Sequence, residues 1–180
     1  MTPIEESLTR YAAYHRDRRN IATHFVGIPM IVLAGVMAGA TIVIPAGPVD
    51  VTLAALLSIA MCAYYLRLDP AFGIAMAVAL FGACAVASEA LARMGTGATL
   101  GAALVLFVVG WALQFLGHRY EGMKPAFFDD LRQLLIGPLF VCAETFFALG
   151  AKRELRRRIE ERVGPVVARR IHPAAETTNP

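Results

Sequence analysis

The chain has 180 residues, of which 57% are hydrophobic, and a formal net charge of +3. Its mean hydropathy of +0.57 excludes an ordinary soluble domain and fits one small integral membrane domain built from a handful of helices. Basic and aromatic residues do not interleave, so the arginines point to anionic lipid head groups and away from nucleic acid.

The N-terminal stretch is polar and carries Arg10, Arg16, Arg18 and Arg19, with no apolar core behind a charged start, so no signal peptide is expected. Leu8, Tyr11, Ala12 and His15 recur at helical spacing, which predicts an amphipathic helix along the membrane interface. His15 and His24 would face opposite sides of one continuous helix, so they can share a ligand only if the helix stops between them. Asn20, with Thr23 following, is the expected break, and its amide is placed to orient one of the histidines.

Apolar runs follow at 25–44, 51–66, 71–92, 98–117 and 134–150, separated by Pro45-Ala-Gly-Pro48, Asp69-Pro70 and Gly95-Thr-Gly97. Crossing a bilayer takes about twenty apolar residues, so the first, third and fourth runs qualify and the second is short. The fifth contains Gly137-Pro138, expected to break it, and Glu144, which is costly in hydrocarbon unless paired with the histidines or Arg132. If four runs cross and the fifth only dips in, every basic residue except Arg93 collects on one face, the pattern of a cytoplasmic side. The expected fold is therefore all-α integral membrane. It has four transmembrane helices, an N-terminal interfacial helix, a re-entrant or in-plane fifth apolar helix and a basic C-terminal helix, with both termini cytoplasmic. The domains follow as an interfacial segment 1–24, a membrane domain 25–150, a basic amphipathic tail 151–170 ending its helix near Gly164-Pro165, and a disordered end 171–180. Cys62, Cys84 and Cys142 sit inside apolar runs and read as buried thiols. Glu89 and Arg93 read as a local ion pair, and Asp129 and Asp130 as complements to the dipole of the following helix.

Two polar clusters, His15 to His24 and Trp111 to Glu121, hold three of the chain's four histidines. At about 100° per residue, Trp111, Gln114, His118 and Glu121 share an arc of about 80° on one helix face. His118 and Glu121, one turn apart, can offer an imidazole and a carboxylate to one ion, or Glu121 can simply pair with Arg119 or Lys124. The charge-based topology puts all three histidines on one membrane face. Two or three histidines with a carboxylate and open positions is the pattern of mononuclear non-haem iron and oxygen chemistry.

The same residues carry a family resemblance. Tyr14-His15, Asn20, His24-x-x-Gly27-x-Pro29, Trp111-x-x-Gln114-Phe115-x-Gly117-His118-x-x-Glu121-x-x-x-Pro125-Ala126 and Gly137-Pro138-Leu139 with Glu144 resemble the Mpo-type membrane family of the fungal 2-hydroxy fatty acid dioxygenase. The resemblance covers residues from about 8 to 150. It implies an Fe(II)-dependent dioxygenase of fatty acid α-oxidation, with a 2-hydroxy fatty acid and O2 as substrates and a product one carbon shorter. It implies His15, His24 and His118 as iron ligands and Glu121 as a fourth catalytic residue. Asn20, Gln114 and Glu144 stand around the cofactor, Glu144 as support for a ligand. Arg16, Arg18, Arg19 and Arg119 are candidates to hold the substrate carboxylate, and Leu104 and Phe107 to line its chain. The competing reading is a non-catalytic metal- or proton-binding membrane carrier or scaffold. A carrier would be expected to show paired halves, and no internal repeat is visible.

Overall fold

The computed structural model describes residues 1–47 and 49–168. Helix α1 (Pro3–Ala12) begins on a proline, with Thr2 Oγ1 accepting from the Glu5 amide as its cap. A short linker, 13–17, separates it from α2 (Arg18–Ala40). Asp17 caps α2 by accepting from the Arg19 amide at 2.8 Å. The break between His15 and His24 therefore falls before Asn20, which lies in the first turn of α2. Asp17 offers an equally good capping carboxylate earlier in the chain.

After α2 comes an antiparallel hairpin that the apolar pattern did not predict, β1 (Val43–Ala46) and β2 (Val49–Thr52), with Gly47 at φ +77° in its turn. Thr52 caps α3 (Leu53–Leu68), and Asp69 caps α4 (Pro70–Glu121) by accepting from the amides of Ala71 and Phe72. Helix α4 is 52 residues long but is interrupted at Gly95, where φ 75° and ψ 172° are open only to glycine. Ala87 and Ala103, placed symmetrically about Gly95, belong to one packed cluster with Ala34, Met37 and Ala54, so the chain reverses there. The Gly95-Thr-Gly97 breaker thus acts where the sequence placed it.

The second half of α4 runs against α2 at backbone distance. A Cβ on Gly110 would stand 2.7 Å from Ile31 Cγ1 and 2.9 Å from the Gly27 carbonyl, and one on Gly117 would strike Thr23 and Asn20. Small residues at a helix crossing give this close approach. The first half packs on α3 in the same way, Gly73 against the Leu66 backbone.

Helix α5 (Gln133–Ala148) passes through Gly137-Pro138 without stopping. Pro138 removes the ladder bond to the Leu134 carbonyl, while tertiary contacts hold the helix on either side: the next carbonyl, Leu135 O, accepts from the Tyr65 hydroxyl at 2.8 Å, and Gly137 lies against Tyr11 and Ile28. Helix α6 (Arg153–Val163) leaves α5 at 115° and docks on α1, with Glu5 accepting from Arg162 and facing Arg158 at 3.7 Å. Lys152 reaches Asp69 at 2.6 Å. Of the stripe expected to face the membrane interface, Leu8, Tyr11 and Ala12 pack with Ile4 among residues of α5 and α6, and His15 is buried. Beyond α6, Val167 forms a parallel bridge with the 13–17 linker. Its amide donates to Arg16 O at 2.8 Å, and its carbonyl accepts from Arg18 N at 2.9 Å. The end expected to be disordered, 171–180, lies outside the described residues.

Helices α2 and α4 are long and apolar enough to cross a membrane, and the bent pair α5 and α6 would add a third span if it crosses as one. The thiols of Cys62, Cys84 and Cys142 are free, with only Cys62 fully buried. The Glu89–Arg93 ion pair is present. Asp130 accepts from the Arg132 amide ahead of α5, whereas Asp129 is taken up by the Tyr14 hydroxyl and Lys124.

Candidate metal centre

His15 comes from the 13–17 linker, His24 from the second turn of α2 and His118 from the end of α4. All three are buried, and each offers a ring nitrogen within 4.8 Å of the other two. Among the described residues this is the one such group of three or more possible metal ligands.

The hydrogen bonds fix the chemistry of the first two rings. His15 Nδ1 lies 2.7 Å from Tyr11 O, and His24 Nδ1 lies 2.9 Å from Asn20 O. A carbonyl only accepts, so each Nδ1 carries a proton and donates it. Burial first, then the facing His24, drives the His15 imidazole well below its usual range, against the opposing pull of the Tyr11 bond, so His15 is neutral. Each Nε2 then bears a bare lone pair, and the two face each other at 3.1 Å. Two lone pairs at that distance repel unless a cation lies between or beside them. Backbone carbonyls that hold Nδ1–H and so present Nε2 are the outer-shell device of metal-binding histidines. Tyr11 also stacks flat on His15, with ring centroids 4.1 Å apart. The donor set fits a first-row transition ion.

Glu121 is not among the residues whose ligand atoms come together there. Its Oε2 accepts from the amides of Arg16 at 3.0 Å and Asp17 at 2.7 Å and from Asn20 Nδ2 at 3.1 Å. The carboxylate therefore clasps the linker that carries His15 to the helix that carries His118. Asn20 completes the clasp through its amide, which also donates to Tyr14 O, and it orients His24 through its backbone carbonyl and not its side chain. Glu144 lies apart from the rings, 4.0 Å from Arg16 Nη2, while Arg132 pairs with Asp130. Buried Arg16 donates from Nε to the carbonyls of Ala12 and His15 and from Nη1 to Gly164 O, so Glu144 balances the charge that braces the His15 linker.

A model of the family described as 2-hydroxy-palmitic acid dioxygenase Mpo1-like matches residues 1–149. The chain belongs to the Mpo1-like family. A Saccharomyces cerevisiae protein named 2-hydroxy-palmitic acid dioxygenase MPO1 is similar to it, 29% identical over 159 residues that cover 87% of each chain. No solved structure matches the Mpo1-like chain.

Beside the histidines the Mpo1-like chain has a cavity whose polar atoms lack protein partners. Trp111 Nε1, both amide atoms of Gln114 and Gln133 Oε1 are buried without a hydrogen bond, and all three residues line the cavity with His15, His24 and His118. Orphaned buried polar atoms are costly in a finished fold and ordinary where a ligand completes them. No arginine lines this cavity among the described residues. Arg19 is spread over Asp17 and the Tyr120 ring, and Arg16 is committed as above. Leu104 and Phe107 are exposed at 63% and 46% and line no part of the cavity. Sequence reading missed Gln133 and the Tyr11 carbonyl. Gln133, a polar residue just before the fifth apolar run, was visible as an oddity, whereas a backbone carbonyl leaves no sequence signal.

Proposed function

We propose that this chain is an Fe(II)-dependent dioxygenase that shortens a 2-hydroxy long-chain fatty acid by one carbon within the membrane. The observation that carries the reading is the pair of Nε2 lone pairs facing each other at 3.1 Å in a buried site, with His118 beside them. His15, His24 and His118 would hold the iron, and Tyr11 O and Asn20 O keep two of the rings in the ligating tautomer. Iron, when bound, supplies the electrons and open positions that O2 chemistry requires.

The remaining work falls to the chain's own groups. Trp111 Nε1–H and the Gln114 amide donate to the substrate carboxylate, and Gln133 Oε1 accepts from the 2-hydroxyl, which together aim the C1–C2 bond at the histidine centre. Ile28, Phe127 and Leu134 line the same cavity and keep bulk water off the reacting carbons. Glu121 sets the spacing between His15 and His118 through the linker it clasps. We assign the crossings to α2, α3 and the two halves of α4, with α5 in plane and both termini on the cytoplasmic face.

Metal analysis of the purified protein and oxygen uptake with 2-hydroxyhexadecanoic acid test the reading. One iron per chain and a product one carbon shorter are expected, with iron lost in His118→Ala. Full iron retention in that variant refutes the ligand set, and no oxygen uptake with 2-hydroxy acids of any length refutes the activity. Cysteines introduced as Thr2→Cys and Thr178→Cys should label from the same side. Labelling from opposite sides refutes the topology.

A further inference from the structure

A second cavity, of ≈ 460 Å³, lies between α2, the first half of α4 and α5, within the size range of small-molecule sites. It shares Ile28, Val32 and Pro138 with the histidine cavity, so the two adjoin along one wall. Their linings divide by chemistry. The unpartnered polar atoms, on Gln114 and Gln133 at 5% exposure and on Trp111, all belong to the histidine cavity. The second has only Cys142 and Thr145 as polar side chains, and the Thr145 hydroxyl is turned back to donate to Val141 O.

Along α4 the lining residues of the second cavity run from Ala75 to Val86 and include Ala75, Ala79 and Ala83, spaced at one turn. From residue 75 to residue 86 a helix rises about 16 Å. Half of a bilayer's hydrocarbon core, the reach of one acyl chain, is about 15 Å. Depth can be read from the packing. Ala83 belongs to one cluster with Leu33 and Ala34, farther along α2 from His24, whereas Met76 and Leu80 pack in the cluster that holds Tyr11 and Leu139.

We propose that this cavity holds the acyl chain of the 2-hydroxy acid, with Ala79 and Ala83 setting the chain length accepted. The inference rests on the reading of the histidine centre as the place of the polar head. An amphiphile with its head among the orphaned amides and its chain past Ile28 and Val32 satisfies both cavities at once. Leu104 and Phe107, the residues that the sequence pattern nominated, do not line this cavity.

The test uses the full chain in phosphatidylcholine vesicles. In Ala83→Phe and in Ala79→Phe, the ratio of oxygen uptake on 2-hydroxyhexadecanoic acid to that on 2-hydroxydecanoic acid falls by about tenfold or more, the scale at which a hydrophobic site discriminates by size. Val78→Phe, on the same helix but at 72% exposure, leaves the ratio unchanged. Independently of turnover, 2-hydroxyhexadecanoic acid with a diazirine near its terminal carbon labels residues 79–86 of the unsubstituted chain, and excess unlabelled 2-hydroxyhexadecanoic acid displaces it. An unchanged ratio in both variants, labelling at 104–107, or labelling that the hydroxy acid does not displace, as for a resident bilayer lipid, overturns the assignment. If the unsubstituted chain takes up no oxygen yet is labelled at 79–86, the proposed reaction fails and the chain site stands.

Discussion

Replacing Glu121 separates two roles that the sequence left joined. Its Oε2 is the shared acceptor for the Arg16 amide, the Asp17 amide and Asn20 Nδ2 in a buried setting. Glu121→Leu strips all three donors, and each buried donor left without a partner costs about 1–3 kcal/mol. The total, about 3–9 kcal/mol, is comparable with the whole stability of a typical domain, about 5–15 kcal/mol, so this variant is expected to fail to accumulate. Glu121→Gln keeps an acceptor oxygen but loses the charge that strengthens each bond, worth about 1 kcal/mol for each of the three, or about 3 kcal/mol in all. At roughly 2–4 °C per kcal/mol for a chain of this size, its melting temperature in detergent should drop by several degrees. Iron content should fall only partially, because the linker still delivers His15. The assay is thermal unfolding alongside metal analysis on the same preparation. A Glu121→Gln protein that melts like the unsubstituted chain yet binds no iron would refute the clasp and make Glu121 a direct ligand.

Gln114→Leu should retain full iron while raising KM for the 2-hydroxy acid by about tenfold, the worth of one hydrogen bond, as measured by oxygen uptake against substrate concentration. Gly117→Ala drives a Cβ into Thr23 and Asn20 and to 3.2 Å from His24 Nδ1, so it should cost about 1–3 kcal/mol in thermal unfolding and weaken iron retention together. The Glu5 carboxyl is held below its ordinary range chiefly by its hydrogen bond from Arg162, against the opposing effect of burial. A depressed folded-state pKa stabilises above the unfolded value and ceases to do so as pH falls through the folded one. Acidification through and below the ordinary carboxylate range should therefore loosen α6 from α1, seen as faster hydrogen exchange in α6, and Glu5→Gln should remove that pH dependence.

Helices and their stops were legible because they rest on local chemistry. Asp69-Pro70 and Gly95 act where the sequence placed them, and the three histidines come together. Local chemistry also explains the misplaced break, since Asp17 and Asn20 are both good caps and only the Glu121 clasp, a contact across most of the chain, favours the earlier one. Long-range partners were not legible. Nothing near Glu144 in the sequence singles out Arg16, and Pro138 reads as a stop until the packing of α5 on Tyr11, Ile28 and Tyr65 is seen. Leu104 and Phe107 are absent from the cavity lining for a related reason. Helical phase shows which residues share a face, as Leu104 and Phe107 do, but not which face meets α5.

The bridge from Val167 to the His15 linker also bears on the order of assembly. Synthesis at about 5–20 residues per second places Val167 roughly 8–30 s behind Asp17. During that interval His15 and His24 exist without His118, and then with His118 but without the strap that pins the linker. Until Val167 is made, the linker that carries His15 lacks the two backbone bonds that this bridge supplies. On the proposed reading, a metal held by the three histidines would meet the fully braced linker only after residue 167 has been made.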